Sequence, residues 1–148
     1  LPYARTPPQN RCVDEHRGCA FSRRIALDIG FAEPVEVRAD ARAVRRILSN
    51  LLTNALAYTA QYGTVRVDVT GGEGAGIVSV RDSGSGFTGR EKGIAGRAFE
   101  RFDRPGTVTG AGLGLAIAVG LARRMGGAIR FASAPGEGTI MELRLSRP

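Results

Sequence analysis

Two asparagines stand four residues apart in the stretch SNLLTNALAY, Asn50 and Asn54, inside a segment whose apolar residues repeat at helical spacing. With Val44 set at zero and about 100° per residue, Asn50 falls at about 240° and Asn54 at about 280°, one above the other beside the apolar stripe. Asparagine is a weak helix former, because its amide competes for nearby backbone groups. Two of them beside a core face are either a polar edge bonded to neighbouring backbone or a functional pair. In the functional reading their carbonyl oxygens face a hard cation such as Mg²⁺, which accepts neutral oxygen ligands and keeps room for waters and phosphate oxygens.

A second group of residues lies at the end of GIVSVRDSGSGF, where Asp82 is followed by Gly84 and Gly86. An ionised carboxylate only accepts hydrogen bonds. It can therefore take the adenine amino group but repels the carbonyl oxygen of guanine, and the glycines let the backbone pass close to a base. The third is RPGTVTGAGLGLAIAVG, Arg104 to Gly120, which runs five glycines into an apolar helix. Glycines before a helix start allow backbone N–H groups to approach a phosphate, to which the helix end adds partial positive charge. An ordinary surface loop is the plain alternative.

The elements that must position these groups can be read from period and punctuation. RIALDI and VEVR alternate as strands, and Asp40 is placed to cap a long helix whose buried face is Val44, Ile47, Leu48, Leu51, Leu52, Ala55 and Leu56, ending near Tyr62 and Gly63. TVRVDVT and GIVSVRDS form a hairpin across GGEGAG. A helix from about Leu113 to Met125 stops at the Gly126–Gly127 pair, and AIRFASA and GTIMELRL are strands around PGEG. The mixture predicts an α+β fold: a two-layer sandwich with a mixed, mostly antiparallel sheet and helices on one face. Residues 24–148 are expected to form this domain and residues 1–23, polar and with three prolines, a tail or linker.

Composition narrows the class. The net charge is +7, yet 20 of the 21 basic residues are Arg and they are spread along the chain in nothing longer than pairs. Nucleic acid is therefore not an expected partner, although attraction to a polyanion such as ATP remains. No apolar run reaches the roughly 18 residues that cross a bilayer. Cys12, His16 and Cys19 match no familiar zinc spacing and read as two free thiols and a surface imidazole. The first residue is Leu1 rather than Met, and the chain is expected to be a piece of a longer protein or half of a split one.

Taken in order, NLLTNA, DSGSG, FERF and GAGLGL resemble the N, G1, F and G2 boxes of the ATP-binding domain of sensor histidine kinases, within the wider GHKL superfamily (Bergerat fold) that includes gyrase, the Hsp90 chaperones and MutL. The resemblance covers about residues 24–145. It implies that Asn54 holds Mg²⁺ with Asn50 assisting near the phosphates, and that Asp82 binds adenine in a pocket shaped by Gly84 and Gly86 and flanked by Tyr58. It further implies that Phe99 and Phe102 anchor a mobile lid, in which Gly110, Gly112 and Gly114 hinge and offer amides to the phosphates, with Leu115 following at the nucleotide. Arg104 is implied as the γ-phosphate contact and Arg101 as a second, or both are solvated lid charges.

The resemblance also implies the reaction. Gyrase-like ATPases place a glutamate one turn before the magnesium asparagine to activate water, and this chain has Asn50 there, so ATP is held for an outside acceptor. That acceptor is a histidine on a dimerisation domain, in trans or upstream, with a response regulator after it. His16 lacks the sequence context of such an acceptor. The domain is expected in the cytoplasm, with or without a tether to the membrane through segments outside the chain. Two departures stand out: Ala57 replaces the usual Lys three positions after Asn54, and the lid from Pro105 to Thr109 is short. Two rivals keep the fold, a degenerate nucleotide-binding or interaction module without transfer activity and an anti-sigma-type serine kinase.

Overall fold

A computed structural model describes residues 3–5, 9–84, 111–134 and 138–148. The chain runs β1 (Tyr3–Arg5), α1 (Gln9–Ser22), β2 (Ala26–Ala32), β3 (Glu36–Arg38), α2 (Ala41–Tyr58), β4 (Thr64–Gly72), β5 (Ala75–Asp82), α3 (Ala111–Arg124), β6 (Ala128–Ala134) and β7 (Gly138–Ser146). Five strands form one sheet in the order β2-β4-β5-β7-β6, and β1 pairs with β3 in a separate two-stranded sheet. Within the large sheet β2 and β4 are parallel and every other pair is antiparallel. Parallel neighbours need a crossover of a dozen or more residues; here β3 and α2 supply it.

Alternation decides which sheet face is covered. Val65, Val67 and Val69 of β4, Val78 and Val80 of β5, and Met141, Leu143 and Leu145 of β7 are all buried. They meet Val44, Ile47, Leu48, Leu51, Leu52, Ala55 and Leu56, the full apolar stripe of α2, in one core. Ala118 and Ala122 bring α3 into the same core beside α2. The helices therefore lie on one face, as the pattern requires.

The start of α2 is fixed as its sequence suggests. Asp40 sits in extended geometry (φ −80°, ψ 119°) and its carboxylate accepts the Arg42 N–H at 2.8 Å. Such a cap is worth about 1 kcal/mol. The helix closes at Tyr58, one turn earlier than expected, because Thr59 turns extended while its N–H and hydroxyl both bond the Ala55 carbonyl at 3.1 and 2.8 Å. α3 stops at the glycine pair: the N–H groups of Met125, Gly126 and Gly127 bond the carbonyls of Ala122, Arg123 and Ala122.

The segment before Arg24 departs from the expected tail. Residues Gln9–Ser22 are helical, and Cys12, Val13 and Ala20 enter the common core. Its hydrophobic signal is short because only one narrow stripe is buried. Nor is His16 a free surface imidazole: its Nδ1 lies 2.7 Å from the Cys12 carbonyl, which can only accept, so in the neutral ring Nε2 accepts from the hydroxyls of Ser49 and Thr53 at 3.3 Å each. That ring fastens α1 to α2. Both thiols are free, but Cys12 is buried and its Sγ contacts the Arg45 carbonyl at 3.6 Å. Burial, with Glu15 nearby, pushes its pKa up to about 11, so it remains a thiol at neutral pH.

Candidate nucleotide site

One element supplies three of the expected residues. Asn50, Asn54 and Tyr58 descend α2 at four-residue steps, each on the turn above the last. Asn54 is 4% exposed. Its Nδ2 lies 3.9 Å from the Met141 sulfur on β7, and its Oδ1 is buried with no hydrogen-bond partner among the described residues. An orphaned buried acceptor costs about 1–3 kcal/mol. A hard cation is the kind of group that would satisfy it, so the donor set fits Mg²⁺. Asn50 is half-buried and donates through Nδ2 to the Gly114 carbonyl at 3.1 Å, tying α2 to the first turn of α3.

The carboxylate comes from the sheet. Asp82 is the last residue of β5, opposite Thr139 in β7, and is also 4% exposed. Burial raises its pKa above the ordinary 3.8, while backbone N–H groups of Gly84 and Thr139 pull the other way by bonding the charged form. The Gly84 N–H to Oδ1 distance is 2.9 Å. A methyl on Gly84 would lie 2.6 Å from the Tyr58 carbonyl and 2.9 Å from Asp82 Oδ1, so only glycine lets the strand exit pass beneath the end of α2. Gly138, in the left-handed region at φ +82°, presses against the Asp82 carbonyl from the other side.

Sheet register brings the two ends together. Val80 pairs with Met141 and Asp82 with Thr139, so Asp82 and the Met141 contact of Asn54 are one alternate step apart on the helix-facing side. Alternate residues along a strand are separated by about 7 Å. Helix amide and strand carboxylate thus share one interlayer region; Tyr58, half-exposed, has its backbone carbonyl beside Gly84. Gly112 and Gly114 lie at the start of α3. Leu115, expected at the nucleotide, is buried in the common core. Gly86, Phe99, Arg101, Phe102, Arg104 and Gly110 lie outside the described residues.

Sequence reasoning misses three neighbours of the site. In the sequence Gly138 and Thr139 mark only a turn and the start of a strand, and Met141 only core, because their closeness to Asp82 and Asn54 depends on the β5–β7 register. The glycine–threonine step after PGE is the available signal.

Comparison with known proteins gives the family. Residues 39–148 match the family described as histidine kinase-, DNA gyrase B-, and HSP90-like ATPase, and the chain belongs to that family. It is 36% identical over 135 residues to a non-motile and phage-resistance protein of Caulobacter vibrioides, covering 87% of this chain and 16% of that one. It is 37% identical over 123 residues to the swarming motility regulation sensor protein RssA of Serratia marcescens, covering 81% and 26%. With the sensor histidine kinase MtrB of Mycobacterium tuberculosis the identity is 40% over 117 residues, covering 77% and 20%. The chain therefore spans about a quarter or less of the length of these relatives.

Among solved structures, the mycobacterial sensor histidine kinase MprB is similar at 27% identity and a TM-score of 0.73, covering 99% of this chain and 98% of that one. The catalytic domain of the histidine kinase ThkA shares the fold, with a TM-score of 0.77 at 20% identity and 99% coverage of both. The chain is thus a GHKL-type ATP-binding domain of the sensor histidine kinase kind. Among the described residues no helix is long and apolar enough to cross a membrane.

Proposed function

We propose that this domain binds Mg²⁺-ATP between α2 and the open ends of β5 and β7, and donates the γ-phosphoryl group to a histidine of a dimerisation domain outside the chain, from which a response regulator takes it. The observation that carries the reading is that the orphaned Asn54 Oδ1 of α2, set against Met141, and the buried Asp82 carboxylate lie over neighbouring steps of the same sheet face. In this reading Asp82 accepts from the adenine amino group, Gly84 keeps the floor of the base pocket open, and Tyr58 flanks the base. Asn54, with Asn50 beside it, would hold Mg²⁺, which supplies charge neutralisation of the phosphates. Position 50 carries an amide rather than a carboxylate, so no base on that turn of α2 can activate water. Arg104 and Arg101 belong to this proposal as γ-phosphate contacts, and Gly86, Gly110, Gly112 and Gly114 as backbone that approaches base and phosphates.

Labelled ATP tests the reaction. The chain is mixed with γ-labelled ATP and dimerisation domains of sensor kinases, with Mg²⁺ or with EDTA. Acid-labile, base-stable label on a histidine, formed only with Mg²⁺, is the expected result. Nucleotide binding with no transfer to any of them would leave the degenerate-module reading in its place.

A further inference from the structure

We propose that the groove beside Asn50 receives the terminal phosphate of the nucleotide and that Arg46 contacts it, in addition to the arginines assigned above. This rests on the ATP reading above and adds a residue to it. The groove has a volume of about 380 Å³ and is lined by Arg42, Arg45, Arg46, Ser49 and Asn50 of α2 and by Glu15 of α1. Those three arginines are the only charged residues of α2.

Their pairing differs in a telling way. Arg45 bonds Glu15 Oε1 at 3.2 Å, and the same carboxylate lies 3.6 Å from Arg11. Arg42 and Arg46 are exposed and have no carboxylate within ion-pair distance among the described residues. Like charges four apart destabilise a helix. Arg42 also lies in the first turn of α2, where the helix dipole disfavours cations, and the Asp40 cap carboxylate, bonded to the Arg42 backbone N–H, is the one acid at that end. Two unpaired guanidiniums held there at a cost, facing a groove that ends on Asn50, describe a place for a visiting anion.

The helix row says which anion. Arg46, Asn50 and Asn54 follow one another at four-residue steps along α2, one continuous i, i+4 row that climbs from the buried Asn54 to the groove. A nucleotide with its base at Asp82 and its cation at Asn54 extends along that row, past Asn50, toward Arg46. Ala57, exposed and on the same flank of the helix because it lies seven residues after Asn50, offers no charge there. Arg46, on the other side of Asn50, then supplies part of the neutralisation that phosphoryl groups require. A planar guanidinium is suited to grip phosphate oxygens in pairs.

Calorimetric titration of the chain with Mg²⁺-ATP, Mg²⁺-ADP and AMP tests this. Arg46→Gln is expected to bind Mg²⁺-ATP about tenfold more weakly, Mg²⁺-ADP less affected and AMP unchanged, with a thermal midpoint equal to or slightly above the wild type because an exposed like-charge neighbour of Arg42 is removed. Arg130→Gln, which removes the same charge from an exposed position on β6, should bind all three as the wild type does. Arg46→Gln binding ATP like the wild type, losing all three nucleotides equally, or behaving like Arg130→Gln would overturn the assignment of the groove. A wild-type chain that bound no nucleotide would overturn the ATP reading and this one together.

Discussion

The two ends of the candidate site are built on opposite principles. At the base end Asp82 is buried and partly compensated: Gly84 and Thr139 donate to it, although burial still raises its pKa, Gly84 fits under the Tyr58 carbonyl, and Gly138 closes against the Asp82 carbonyl from β7. At the phosphate end the groups are left wanting. Asn54 Oδ1 has no partner among the described residues, and Arg42 and Arg46 face a groove without an opposing acid of their own. In the proposed reading that end recognises a flat base by shape and hydrogen-bond direction. Unsatisfied groups gain most when a charged ligand arrives, so in the proposed reading the phosphate end gives up apo stability for binding energy.

Substitutions can break that contrast. The largest effect is expected from Asp82→Asn, which exchanges an obligate acceptor for a group that also donates: Mg²⁺-ATP should bind a hundredfold or so more weakly by calorimetry, a loss of about 3 kcal/mol. Its stability should move the other way. Burial raises the Asp82 pKa, so the folded state holds this proton more tightly than the unfolded chain, and ionisation at higher pH destabilises the fold. Asp82→Asn should therefore unfold at a higher denaturant midpoint than the wild type at neutral pH, and that advantage should shrink as pH falls toward the ordinary aspartate value. A lower midpoint at neutral pH would show that the backbone donors outweigh desolvation.

Next in size is Gly84→Ala. Its methyl would meet the Tyr58 carbonyl at 2.6 Å, and the forced shift should destabilise the domain by about 1–3 kcal/mol in denaturant melts. Nucleotide affinity should fall with it. Asn54→Leu sharpens the phosphate end instead: removing the orphaned oxygen should leave the domain as stable as the wild type or about 1 kcal/mol more so, while abolishing the Mg²⁺ dependence of ATP binding. Equal Mg²⁺ dependence in that variant would remove Asn54 from the cation. The smallest change is expected for Asn50→Ala, which loses the 3.1 Å bond to the Gly114 carbonyl. About 1 kcal/mol of stability should go with it, along with faster amide exchange at the start of α3.

Much of this is readable without any tertiary structure. The apolar stripe of α2 lies in the core residue for residue as its spacing predicts, and Asp40 caps where expected, since both depend on local geometry alone. The β4–β5 hairpin is similarly local. The helix in Gln9–Ser22 escapes because its buried stripe is short and the prolines and polar residues around it match a linker. Its burial comes from α2, which sequence period cannot supply.

By itself, the sequence determined which groups are available and on which face of which element they lie: amides on one helix flank, a carboxylate at a strand end, glycines where backbone must come close. Those follow from 3.6- and 2-residue periods and from the chemistry of each side chain. Only the tertiary structure decided that β7 slots beside β5 with Thr139 opposite Asp82 and Met141 under Asn54, and that α1 walls the arginine groove with Glu15. Pairings between distant segments are set by how the whole core packs, and no local pattern encodes their register.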